Sequence, residues 1–88
     1  MLTGKTESGF EYTLEAQNLD NFELLELLIE LEAKRMDLLP KIATLLLGQS
    51  QKTALMEHVR NEDGIVPLSA MMVEITQILE GTKQLKNS

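Results

Sequence analysis

The chain has no cysteine, no tryptophan, one histidine, two prolines and only three aromatic residues (Phe10, Tyr12 and Phe22) in 88 positions. Each shortage excludes something. Without cysteine there is no disulfide staple and no thiolate metal site, which suits a reducing compartment. With so few rings, a core has to be built from Leu, Ile, Val and Met. No apolar run approaches the ~18 residues that would suggest a membrane span. Met1 to Gly9 lacks the basic and apolar regions of a signal peptide. These features predict a cytoplasmic protein with no membrane association.

Positive charge is also scarce, and unevenly so. The net charge is −6. Residues 1–37 hold nine acids (Glu7, Glu11, Glu15, Asp20, Glu23, Glu26, Glu30, Glu32, Asp37) against three bases (Lys5, Lys34, Arg35), whereas acids and bases balance over 38–88. A surface of this sign repels phosphate backbones, so no nucleic-acid binding is expected. It keeps an apolar protein in solution, and it attracts a basic partner.

What the chain does have is leucine on helical spacing. "FELLELLIELE", Phe22 to Glu32, gathers Glu23, Glu26 and Glu30 into roughly 60° of a helical wheel and leaves roughly 220° largely apolar. An ordinary surface helix needs an apolar stripe of little more than ~100°. The excess predicts that part of this face meets another chain. A domain this small, with no staple, also gains from oligomerisation.

The pattern along the chain predicts a mainly α protein with a small β-hairpin (α+β), one domain over residues 1–80 and a polar tail over 81–88. The hairpin covers 2–14, turning at Glu7-Ser8-Gly9, with Phe10, Tyr12 and Leu14 on the inner face. Four helices follow, at about 20–34, 37–47, 50–61 and 67–80. Asp20 with Glu23 reads as a capping box, and Asp37 as the cap of the second helix, with Pro40 in its first turn. Gly48 closes that helix and Ser50 opens the next. The third helix turns Leu55, Met56 and Val59 inward and Glu57, His58 and Arg60 outward. In the last helix Leu68, Met71, Met72, Ile75, Ile78 and Leu79 form one stripe, and Gly81 is expected to end it.

No catalytic constellation emerges, and neither a cofactor nor a metal is expected. His58 is the only possible imidazole base. Ser8, Ser50 and Ser69 are its conceivable serine partners, but none sits in a nucleophile-elbow context. His58 and Glu62 share a spacing of four, too few ligands for a metal site. Gly4-Lys5-Thr6 matches the end of a phosphate-binding loop but lacks its earlier glycine and leading strand. Asn61 to Gly64 resembles the glycine end of a calcium loop, yet the position that needs Asp is Val59. The chain is expected not to be an enzyme.

The order of segments does carry a resemblance. "SGFEYTL" is followed by "LDNFELLELLIELE" and then by "LPKIATLLLGQSQKTALMEHVRNEDGIVPLSAMMVEI". Its most specific part comprises Leu45 to Gly48, Gln51, Lys52, Leu55, His58, Arg60 and Glu62 to Pro67. Over about residues 8–80 the chain resembles the small tail assembly chaperones of long-tailed phages and prophages of Gram-positive bacteria. The resemblance implies a non-enzymatic, self-associating helical protein. Such a protein coats the hydrophobic helices of the tape measure protein until the tail tube polymerises, acts in the host cytoplasm and is absent from the mature virion. It also implies a longer form made by ribosomal frameshifting, for which Lys86-Asn87 is a compatible slippery site. The surface expected to hold the client or a second copy comprises Leu24, Leu27, Leu28 and Leu31, with Met71 and Met72. Two other readings compete: an acidic inhibitor or mimic docking on a basic partner, and a purely structural oligomerisation module.

Overall fold

A computed structural model describes residues 2–86, and the side chains of residues 2–82. Strands β1 (Leu2–Lys5) and β2 (Glu11–Leu14) pair antiparallel, with Leu2 opposite Leu14 and Gly4 opposite Tyr12. Gly9 takes φ +96° in the connecting turn, a conformation open to a residue without Cβ. The strands alternate as a half-buried pair should. Phe10 and Leu14 are buried and Tyr12 half-buried, while Thr3, Lys5 and Glu11 face water. The Tyr12 ring covers Gly4, where a Cβ would fall inside it.

Helix α1 (Ala16–Leu19) is a single turn, and α2 (Phe22–Glu32) follows at once. The cap of α2 is Asn21, whose Oδ1 accepts from the Glu23 N–H at 3.0 Å. Asp20, the expected cap, instead closes α1, its N–H bonding to the Ala16 carbonyl. Helix α2 ends in a Schellman motif: Lys34 N–H donates to the Leu31 carbonyl and Arg35 N–H to that of Glu30. The left-handed position is filled by Lys34 at φ +67°, not by glycine.

A 3-10 turn at Met36–Leu38 leads into α3 (Leu39–Leu47), with Pro40 in its first turn. Asp37 makes no capping bond; both its oxygens accept from the Arg35 guanidinium at 3.0 Å. Gly48, at φ +83° and ψ 159°, serves two helices. Its N–H bonds back to Thr44, and its carbonyl accepts from Lys52 in α4 (Gln49–Val59). Only glycine adopts that conformation readily. Ser50 lies inside α4 rather than capping it.

The last helix, α5, runs Leu68–Lys86, straight through Gly81. The expected stop is absent because Gly81 has another use: a Cβ there would sit 3.0 Å from the Tyr12 hydroxyl. The helix yields a side chain so that the hairpin can approach. Asn87 and Ser88, the end of the expected polar tail, lie outside the described residues.

Helix α3 is the centre of the core. Its Ile42, Ala43 and Leu46 are fully buried among Leu14, Leu24, Leu55, Ile75 and Ile78 from the surrounding elements. The architecture is therefore α+β, a hairpin and helices sharing one core. Among the described residues, no helix is long and apolar enough to cross a membrane.

Candidate interaction surface

The division of the α2 face follows from helix geometry. At about 100° per residue, Leu24, Leu27, Leu28 and Leu31 span an arc of about 100°, and Phe22, Leu25 and Ile29 a separate arc of about 60°. The first arc faces α3. Leu24 is buried, and Leu27, Leu28 and Leu31 are partly buried against the core. The second faces out, with Phe22 74% exposed, Leu25 50% and Ile29 57%. Of the four leucines expected at the surface, Leu24 is thus a core residue. The accessible apolar side chains of this helix are three that the expectation left out. The wheel shows how wide the apolar arc is but not which side of it meets α3.

Leu25 joins this stripe to a groove of about 280 Å³ where α2, the end of α1 and the C-terminal half of α5 meet. Leu19, Leu28, Leu31 and Leu79 line it, with Leu24 also contributing. Stripe and groove form one apolar surface. Around the helix, Glu23, Glu26 and Glu30 flank the stripe on one side, and Glu32 lies on the other and lines the groove. Glu30 pairs with Arg35 at 3.4 Å; Glu23, Glu26 and Glu32 have no ion pair among the described residues.

A second groove, about 260 Å³, is lined by Met36, Pro40, Met56, Leu68, Met71 and Ile75. Three methionines make its walls adaptable. Both Met71 and Met72 are partly buried against the core, but Met71 borders an opening and Met72 lines neither groove. Leu68, expected on the inner stripe, is 59% exposed.

Of the residues that carry the resemblance, Lys52 and Val66 line this second groove, and several others have structural tasks. Gln51 turns its side-chain amide toward β2, accepting from the Thr13 N–H at 2.7 Å and donating to the Thr13 and Leu47 carbonyls. It thereby satisfies a stretch of strand edge that would otherwise stay unpaired. Leu55 is fully buried. Arg60 grips Glu57 and donates to the Gly64 carbonyl at 2.7 Å, closing a turn in which Gly64 has φ +78°. The Asn61 Oδ1 accepts from the N–H groups of Asp63 and Ile65 in the same turn.

His58 packs against Phe10 with the rings tilted by 52° and their centroids 5.5 Å apart, and its Nε2 lies 3.0 Å from the Ser8 hydroxyl. This meets one requirement of a serine nucleophile, but the hydrogen-bond order is wrong. Ser8 donates its only proton to Glu74 Oε1 at 2.8 Å, leaving His58 to donate to Ser8 rather than accept from it. Neither Ser8, His58 nor Glu74 lines any of the grooves described. Thr6 also donates to Glu74 Oε1, at 2.7 Å. The cluster ties the hairpin turn to α4 and α5 around a carboxylate only 3% exposed. Among the described residues no three His, Asp or Glu side chains gather as a metal would require.

Glu74 was legible but unread. It stands three after Met71 and four before Ile78, inside the apolar stripe of α5, where a carboxylate needs buried donors. No protein-family model, curated protein or solved structure matches the chain.

Proposed function

We propose that the chain is a phage tail assembly chaperone that self-associates and keeps the apolar helices of the tape measure protein in solution during tail assembly. The observation that carries this reading is the continuous apolar surface of Phe22, Leu25, Ile29 and the adjoining leucine groove, bordered by carboxylates. A monomer has no folding need for three large apolar side chains in a row on a helix, and such surfaces mark binding sites. The carboxylates keep that surface soluble between clients. The family resemblance over residues 8–80 names the client. In this reading the protein acts in the host cytoplasm, does no covalent chemistry and is absent from the finished virion.

Co-expression with the tape measure protein of the same gene cluster tests the assignment. The client should move from the insoluble to the soluble fraction and copurify with the chain. If it stays equally insoluble, the chaperone assignment falls. Light scattering on the purified chain should show a multimer.

A second reading, an acidic inhibitor docking on a basic partner, is favoured by the three carboxylates of α2 that have no ion pair among the described residues. Partner binding that ignores substitution of Phe22 and Ile29 but vanishes with added salt would transfer the assignment to it.

A further inference from the structure

The apolar surface on α2 has a charge pattern that discriminates between occupants. Phe22, Leu25 and Ile29 lie at i, i+3 and i+7, the spacing at which one helix receives another. Glu23, Glu26 and Glu30 run along one flank, and Glu32 stands on the other. No lysine or arginine lies within the helix itself; Lys34 and Arg35 follow its end, and Arg35 is engaged by Glu30 and Asp37.

Suppose a second copy packed its own α2 on this stripe, in either direction. Antiparallel packing would set the two rows of carboxylates against each other, and parallel packing would set each row against the other copy's Glu32; like charges so placed beside the apolar contact oppose docking. A membrane surface bearing anionic headgroups is repelled in the same way. A helix with lysine or arginine beside its apolar stripe meets the opposite situation. Glu23, Glu26 and Glu32, which have no ion pair among the described residues, then face cations, and the lysine stems can lie along the exposed leucine and isoleucine.

We infer that the Phe22–Leu25–Ile29 stripe and its leucine groove form a docking site for an amphipathic α-helix whose apolar stripe is bordered by Lys or Arg. The groove of about 280 Å³ takes the apolar side chains of that helix. An apolar cavity of about 150 Å³ already holds benzene, so there is room for roughly two such groups. The inference rests on the proposed chaperone reading and adds a selection rule: within a long helical client, the segments held are the basic-bordered ones.

The test uses the full chain and two synthetic helical peptides with the same apolar stripe, one bordered by lysine and one by glutamate. Fluorescence anisotropy should show the lysine peptide binding about tenfold more tightly at low salt, as expected for a few exposed ion pairs. The preference should shrink as salt rises. Phe22→Ser with Ile29→Ser should abolish binding of the lysine peptide while leaving the circular dichroism helical. Glu23→Gln with Glu26→Gln should reduce the preference and keep the residual apolar binding. Equal affinity for both peptides overturns the inference, as does binding that ignores the Phe22 and Ile29 substitutions. It is also overturned if those substitutions dissociate a multimer that the lysine peptide does not compete with, because a second copy is then the occupant. The chaperone reading is judged separately, by solubility of the co-expressed client. A solubilised client with no peptide preference would sink the selection rule alone.

Discussion

Glu74 binds the fold together at the level of single atoms. One carboxylate oxygen accepts from Thr6 and Ser8, and the Thr6 hydroxyl in turn accepts from the Phe10 N–H at 3.2 Å. Glu74→Leu removes the acceptor and strands the buried Thr6 hydroxyl, so a loss of about 1–3 kcal/mol is expected in urea unfolding. Glu74→Gln keeps a carbonyl oxygen in place and should cost at most about 1 kcal/mol. Equal stability of the two variants would show that the hydroxyls do not depend on this acceptor. Exposed carboxylates behave differently. The hydrogen bond from Arg35 holds the Asp37 carboxyl below its ordinary range, and that from Arg60, helped by Coulomb attraction, does the same for Glu57. A lowered folded-state value means that these pairs favour folding above the unfolded carboxyl range. The preference is lost as pH falls through the folded values. Carbon-detected NMR titration should find both midpoints low, and Arg60→Gln should return Glu57 to the ordinary range while Asp37 stays put. Spacing alone could have marked Glu74 as an oddity on the α5 stripe, although the sequence reading passed over it. Its partners were not legible, because Thr6 and Ser8 are more than sixty positions away and reach it only through the hairpin turn.

Helix ends show where local reading succeeds and where it slips. The existence of α2, α3 and α5 was readable because leucine and isoleucine recur at helical spacing through them, whereas α4 was read from Leu55, Met56 and Val59 alone. The cap of α2 was missed by one residue: Asp20 and Asn21 are both competent caps, and only the single turn of α1, which uses Asp20, leaves the task to Asn21. The end of α5 was missed for the opposite reason. Gly81 carries a local stop signal, but Tyr12 packs against it from the far end of the chain. Gly81→Ala should therefore gain little in the native chain, since better helix propensity is offset by crowding of the Tyr12 hydroxyl. With Tyr12→Phe in the background the same change should stabilise by up to about 1 kcal/mol, the usual Gly-to-Ala gain in a helix. A double-mutant cycle by thermal unfolding measures the difference; strict additivity would rule out the contact as the reason for glycine. Lys34 offers an independent check. Its positive φ costs a residue with a Cβ about 1–2 kcal/mol, partly offset in Lys34→Gly by the freer unfolded chain. Lys34→Gly should raise stability by about 0.5–1 kcal/mol, seen as a higher melting temperature.

Across the whole molecule, apolar surface and negative charge occupy the same helix, and that combination sets how the protein meets others. The inward and outward arcs of α2 separate by mutation. Leu24→Ala opens the core and should cost about 2–5 kcal/mol, whereas Leu25→Ser, half-exposed, should change stability by no more than about 0.5 kcal/mol. Salt then separates the two kinds of association proposed for this helix. Between about 0.01 M and 1 M salt the screening length falls from about 30 Å to about 3 Å. A self-association that brought two copies of α2 together would be opposed by their carboxylates at low salt and strengthened by screening. Docking of a basic-bordered helix would be strongest at low salt and weakened by it. Light scattering of the chain alone and anisotropy of a bound lysine-bordered peptide should therefore respond to salt with opposite sign if both events use the α2 stripe. If the multimer is indifferent to salt and survives Phe22→Ser with Ile29→Ser, self-association uses another surface. The methionine-lined groove beside Leu68 and Met71, whose two charged lining residues, Asp37 and Lys52, are of opposite sign, is then the place to substitute next. In that case the α2 stripe stays open to a client while the copies remain assembled, and a chaperone needs both at once.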